Sequence, residues 1–173
     1  MRLFGIAGWS GSGKTTLMTR LIPELRRRDL SVATIKHAHH SFDIDQPGKD
    51  SYRHREAGAQ EVLISSSRRW VVIHEHAAEE EPSLAELIEK LSPADIVLVE
   101  GWKRAPYPKL EVFRPAVGKP PLWPDDPSVV AVASDAFLPD LTCDFVALDD
   151  ITAIADLVLD RAGPADDAVR SAS

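Results

Sequence analysis

Asparagine is absent from the 173-residue chain, so no N-glycosylation acceptor exists. Cysteine occurs once, at Cys143, which excludes an internal disulfide and a cysteine-based zinc cluster. Cys143 reads as a small buried hydrophobe near a strand. No apolar run approaches the ~20 residues that a bilayer-spanning helix needs. The first residues, Met1 to Gly8, lead straight into a glycine-rich loop. A signal peptide there would be cleaved off together with that loop, so none is expected, and the location expected is cytoplasmic, with no membrane partner. Excess positive charge is lacking too. A net charge of -7 and a pI of about 5.3 argue against nucleic acid as a partner. They leave room for one local basic pocket.

The length suits a single domain with a real core, and 44% apolar with 27% charged residues suits a globular one. Leu3 to Ala7 reads as a buried strand. Leu17, Leu21 and Leu25, with Met18 and Ile22, mark one face of a helix, and Pro23 inside it predicts a kink or an early end. Ser31 to Lys36 reads as a second strand, which completes a βαβ unit with a right-handed crossover. The polar stretch 37–58 holds a short helix, with Asp50 as its cap and Gly58 at its end. That helix has almost no apolar face, so it serves a ligand or partner, or is a mobile loop. Glu61–Ser65 and Trp70–His74 read as a hairpin or two adjacent strands. Ser83 to Glu86 is a capping box that opens a helix bearing Leu84, Leu87, Ile88 and Leu91. Strands are expected at 95–99, at 110–113 within a proline-rich stretch, at 129–133 and at 145–148. Asp150 caps a last helix, which Gly163-Pro164 stops. The expectation is an α/β fold of the P-loop NTPase type. It has a mostly parallel sheet with helices on both faces and a hairpin or strand extension. Residues 1–163 form the domain and 164–173 a disordered tail.

The run Gly8, Trp9, Ser10, Gly11, Ser12, Gly13, Lys14, Thr15 follows the first strand and opens the first helix. This is the P-loop pattern, and each part has a physical role. Glycines let the backbone curl so that successive N–H groups point inward as an anion nest. The helix adds the positive end of its dipole. Lys14 reaches the β- and γ-phosphates and is the catalytic candidate, while the Thr15 hydroxyl is placed to ligate Mg²⁺. In open α/β sheets ligands lie at the carboxyl ends of strands. Glu100, at the end of its strand, is therefore the second metal candidate, whereas Asp95, at the start, is a surface or capping residue. Asp43 and Asp45 follow the second strand at the same edge, and either could contact Mg²⁺ or form a solvated turn.

Other groups bear on specificity. His37, His39 and His40, and separately His74 and His76, could bind a metal, contact a substrate, or simply face solvent. Trp102, Lys103 and Arg104 suit an anionic or heterocyclic ligand, a partner surface, or plain packing. The missing asparagine removes any Asn-Lys-x-Asp guanine motif. Asp135, after a strand end, could still accept hydrogen bonds from guanine N1 and N2, or act as a turn cap.

Together these residues resemble the MobB family, the P-loop proteins of molybdenum cofactor biosynthesis, over roughly residues 1–160. The resemblance rests on the phosphate loop, Leu21 to Leu25, Ile35 to His40 and Asp43 to Ser51. Ala57-Gly58-Ala59, Arg69-Trp70 and Val99 to Lys103 extend it. It implies GTP binding at Gly11 to Thr16, with Thr15 and Glu100 serving Mg²⁺ and Asp45 as a further candidate. It also implies weak GTPase activity and a role as adapter to a MobA-like guanylyltransferase that converts molybdopterin to molybdopterin guanine dinucleotide. A homodimer with joined sheets is implied as well. Only two glutamines exist, Gln46 and Gln60, and neither sits beside the loop, so hydrolysis is expected to be slow. Arg53, Arg55 and Arg104 are candidates to assist it. The alternatives are a small-molecule P-loop kinase and a metal-delivery GTPase.

Overall fold

The structure is a computed structural model that describes residues 1–38, 42–76, 81–102 and 105–166. Its strands are β1 (Arg2–Ala7), β2 (Val32–Lys36), β3 (Glu61–Ser65), β4 (Trp70–His74), β5 (Ile96–Glu100), β6 (Lys109–Phe113), β7 (Val129–Ser134), β8 (Asp144–Ala147) and β9 (Gly163–Pro164). The helices are α1 (Lys14–Arg27), α2 (Asp50–Glu56), α3 (Leu84–Glu89) and α4 (Ile151–Arg161). The chain divides into two compact units, residues 1–37 with 83 onward, and residues 38–82.

The larger unit is built on one seven-stranded sheet with β2, β5, β1, β6, β7 and β8 side by side. These six pair in parallel. Their carboxyl ends therefore share one edge, where every connecting loop can contribute to a site. Side-chain alternation sorts the core onto two faces. Phe4, Ile6, Ile96, Leu98, Leu110 and Val112 pack under α1 and α4. Leu3, Val97, Val99 and Ile35 pack against Leu84 and Ile88 of α3. Helices thus lie on both faces, as the alternating strand and helix patterns predict.

Two expectations about the helices are corrected. Of the kink or early end expected at Pro23, the early end does not occur, because α1 runs on to Arg27. Leu21 and Leu25, on either side of it, are fully buried, and their packing outweighs one lost backbone bond. Asp50 is the first residue of α2 and not its cap, because Lys49 takes the cap position. Asp50 there still places negative charge on the positive helix end. The capping box at Ser83 and Glu86 forms in both directions, and the Asp150 carboxylate accepts from the Ala153 N–H.

The chain end also differs from expectation. Gly163 and Pro164 do not merely stop α4; they pair antiparallel with Leu3 and Arg2 of β1. Ala165 donates its N–H to the Met1 carbonyl and is buried. The rest of the expected tail, 167–173, lies outside the described residues.

The second face of β6 binds the segment that follows it, residues 114–128, in which Pro115–Val117 form one 3-10 turn. Lys109, Glu111 and Phe113 alternate with the core-facing Leu110 and Val112 and hold that segment. Lys109 Nζ donates to Ala105 O (2.6 Å), Asp126 Oδ2 (3.0 Å) and Ser128 Oγ (2.7 Å). Glu111 accepts from the backbone of Leu122 and Trp123, and the Phe113 ring meets Trp123 edge-on at 5.0 Å.

In the smaller unit, β3 and β4 form a two-stranded antiparallel hairpin. Val62 is buried, while Leu63, Ile64, Trp70 and Val72 are exposed. α2 buries no residue, in line with its polar sequence.

Candidate functional site

β1 delivers the chain to Gly8 at the carboxyl edge of the sheet. Gly8 adopts φ +134°, and a side chain there would meet the Val112 carbonyl, so only glycine permits the turn. The loop then folds around the Trp9 carbonyl, which accepts from Ser12 N (3.1 Å) and from Lys14 Nζ (2.9 Å). Ser12 is buried, and its hydroxyl oxygen has no hydrogen-bond partner among the described residues. α1 begins at Lys14 with Gly13 as its cap, a residue with no side chain to satisfy the first-turn N–H groups. Thr15 and Thr16 stand exposed on that first turn. The space above Gly11 and Gly13 is open, and a methyl added at either would have no atom within 4 Å. A cationic side chain, helix-end donors and an open cradle suit a polyphosphate.

The neighbouring strand ends supply the other candidates. Glu100 is half-buried at the end of β5, opposite Ile6. The loop after β2 closes against it, because His37 N donates to Glu100 O at 2.8 Å. The His37 and Trp102 rings pack at 4.6 Å, which anchors Trp102 on the protein. Asp95, at the opposite end of β5, accepts from Ser31 N (2.7 Å) and Ser31 Oγ (2.5 Å). Those bonds hold its carboxyl below the usual range and make it structural. Asp135 follows β7, two strands from β1, and faces Arg114 Nε at 3.2 Å with both side chains about half exposed. Phe137, two residues further on, is almost fully exposed.

Asp45 belongs to the smaller unit. Its carboxylate accepts from Ser51 Oγ (2.8 Å) and pairs with Arg55 Nε (3.4 Å). Arg55 also binds Asp43 (2.7 Å) and Glu75 (2.6 Å), so it is committed to three carboxylates. Tyr52, Glu56, Gln60 and His76 line a cleft of about 610 Å³ around it. His74 Nδ1 contacts Glu61 Oε1 at 2.8 Å, and its ring lies 5.2 Å from that of His76. His39, His40, Lys103 and Arg104 lie outside the described residues. Among the described residues no cluster of three His, Cys, Asp or Glu could hold a metal ion. No helix among them is long and apolar enough to cross a membrane. Cys143 is half-buried just before β8, where burial pushes its thiol up.

Sequence reading missed the buried ionisable groups on β6. Lys109 and Glu111 are both fully buried. Burial pushes the Lys109 ammonium down, against the pull of Asp126, and pushes the Glu111 carboxyl up. Tyr107, also buried, is pushed up for the same reason, and its hydroxyl donates to Trp102 O at 3.3 Å. The available signal was two charges alternating with apolar residues inside a strand.

Sheet order, crossover and loop define an α/β protein of the P-loop class. A family model described as molybdopterin guanine dinucleotide synthesis protein B, MobB, matches residues 3–135. The chain is 41% identical over 161 residues to the molybdopterin-guanine dinucleotide biosynthesis adapter protein of Escherichia coli (strain K12), covering 91% of each. It is 44% identical over 135 residues to the Haemophilus influenzae protein of the same description, covering 77% of this chain and 74% of that one. A crystal structure of molybdopterin-guanine biosynthesis protein B superposes with a TM-score of 0.73 at 30% identity, covering 91% of this chain and 98% of that one. Bacillus subtilis MobB shares the fold, with a TM-score of 0.74 at 23% identity, covering 94% and 98%. The chain belongs to the MobB family.

Proposed function

We propose that this protein is a GTP-binding adapter in the synthesis of molybdopterin guanine dinucleotide, working beside a MobA-like guanylyltransferase. The observation that carries the reading is the loop from Gly8 to Thr15, set between β1 and α1 with an open cradle above Gly11 and Gly13. Relatives described as biosynthesis adapters supply the pathway. Trp9 to Thr16 would hold the triphosphate, with Lys14 leaving the Trp9 carbonyl for the β- and γ-phosphates. The Thr15 hydroxyl and Glu100 would serve Mg²⁺, which would neutralise charge between the phosphates. Asp45 is the weaker candidate, because Ser51 and Arg55 already engage it. Asp135 would accept from guanine N1 and N2, a role that needs no asparagine. The chain has only two glutamines, Gln46 and Gln60, and no glutamine within the loop to orient an attacking water, so hydrolysis would be slow unless a partner supplies a donor. The exposed apolar residues of the hairpin support a homodimer.

Isothermal titration with GTP and ATP in the presence of Mg²⁺ tests the reading. GTP binds in preference, and Lys14→Ala weakens it roughly 30- to 150-fold, the equivalent of losing charge-assisted hydrogen bonds of about 2–3 kcal/mol. Tight ATP binding without GTP binding would overturn it. Rapid γ-phosphate transfer to an added acceptor would mark a kinase instead.

A further inference from the structure

We propose that Glu111 is a positioning residue that braces the phosphate loop through Trp9, so that the loop is ordered before any nucleotide arrives. The proposal rests on the nucleotide-binding reading above and adds to it a residue outside the loop.

The loop itself is poorly suited to hold its own shape. Glycines at 8, 11 and 13 give it many backbone conformations. Its internal order converges on one residue, because Ser12 N and Lys14 Nζ both donate to the Trp9 carbonyl. Whatever fixes Trp9 fixes the nest and the resting place of Lys14.

Trp9 is fixed from outside the loop. Its indole Nε1 donates to the Pro120 carbonyl at 2.6 Å, across 111 residues of sequence. Pro120 sits in the loop that follows the Pro115–Val117 turn, and a loop of that kind needs anchors of its own. Glu111 supplies one two residues further on. Its Oε2 accepts from Leu122 N at 2.9 Å and Trp123 N at 3.1 Å, and its Oε1 from Leu122 N at 3.1 Å. Glu111 in turn lies opposite Ala7, the last residue of β1 before the loop. The brace therefore starts and ends at the same corner of the sheet: Ala7, Glu111, the 120–123 backbone, the Trp9 indole and the loop.

Stability alone does not account for Glu111. It is fully buried, and burial of a carboxylate is costly where leucine or valine would pack at no such cost. What the carboxylate does, and an apolar side chain cannot, is to hold two successive backbone N–H groups in place.

Two readouts test the brace, one of them independent of nucleotide. In the nucleotide-free protein, amide hydrogen exchange over residues 9–14 is expected to speed up in Trp9→Phe, which deletes the indole N–H, and in Glu111→Leu. Glu111→Gln keeps an acceptor oxygen for both N–H groups and should restore slow exchange. GTP affinity is expected to fall about fivefold in Trp9→Phe and in Glu111→Leu, on the scale of one lost hydrogen bond. The double variant Trp9→Phe/Glu111→Leu should fall no further, because the two act in series. Unchanged exchange in Trp9→Phe overturns the brace, even if Glu111→Leu does not fold. Losses that add in the double variant overturn the link from Glu111 to Trp9. Wild-type protein with slow exchange that binds no GTP would sink the nucleotide reading while leaving the brace as structure.

Discussion

Gly8 and Gly11 belong to one loop, and alanine at each should fail in a different way. At Gly8 the backbone has φ +134°, which costs a side chain about 1–3 kcal/mol. Its methyl would lie 2.5 Å from the Val112 carbonyl oxygen and 2.8 Å from Ser12 Oγ. Val112 belongs to β6, which is paired on both sides by β1 and β7 and cannot move aside. Overpacking of that kind costs about 1–3 kcal/mol more. The sum, roughly 2–6 kcal/mol, is a large share of a typical domain's stability. It lowers Tm by about 4–24 °C in a chain of this length. At Gly11 φ is +81° and nothing lies within 4 Å of the added methyl. The folded state there loses only roughly 1–2 kcal/mol. The methyl instead projects into the cradle where phosphate oxygens would approach the backbone, so GTP affinity should fall by more than about tenfold. Thermal unfolding followed by circular dichroism, paired with titration calorimetry, separates the two. Gly11→Ala as unstable as Gly8→Ala, or Gly11→Ala that binds GTP like wild type, would refute the reasoning.

Asp135→Ala should reduce the preference for GTP over ATP with little change in stability, because the Arg114–Asp135 pair is about half exposed and worth at most ~1 kcal/mol. Unchanged preference in competition binding removes Asp135 as the base reader. Burial holds the Glu111 carboxyl above its unfolded value, with Asp126 pushing the same way. The folded state therefore keeps that proton to higher pH than the unfolded state, and stability falls as pH rises from the ordinary carboxylate value through the raised one. Urea unfolding across that window should show Glu111→Gln gaining on wild type as pH increases, and a constant difference would contradict the direction. Replacing exposed Leu63 and Trp70 of the hairpin with glutamate should shift sedimentation toward the monomer while leaving Tm nearly unchanged. Wild-type protein that is already monomeric at all concentrations would end the dimer proposal.

Sequence by itself determined the elements whose causes are local. The phosphate loop is legible because its glycines, lysine and threonine act within one turn of chain between a strand and a helix. The capping box at Ser83 and Glu86 and the Asp150 cap are legible because each partner is three residues away. The unbroken apolar runs of β1 and β5 announce strands buried on both faces. Tertiary structure alone decided the rest, because the partners are far apart in the chain. Pro23 continues α1 only because Leu21 and Leu25 are packed by the sheet and α4. Gly163-Pro164 becomes a strand only because β1, some 160 residues earlier, offers pairing positions at Arg2 and Leu3. Lys109 and Glu111 look like surface charges in sequence. They are buried because Asp126, Ser128, Leu122 and Trp123 return to satisfy them. The indole of Trp9 found its acceptor 111 residues away. Local pattern can name the glycine-rich loop after β1; only the folded sheet shows which distant groups it bonds to.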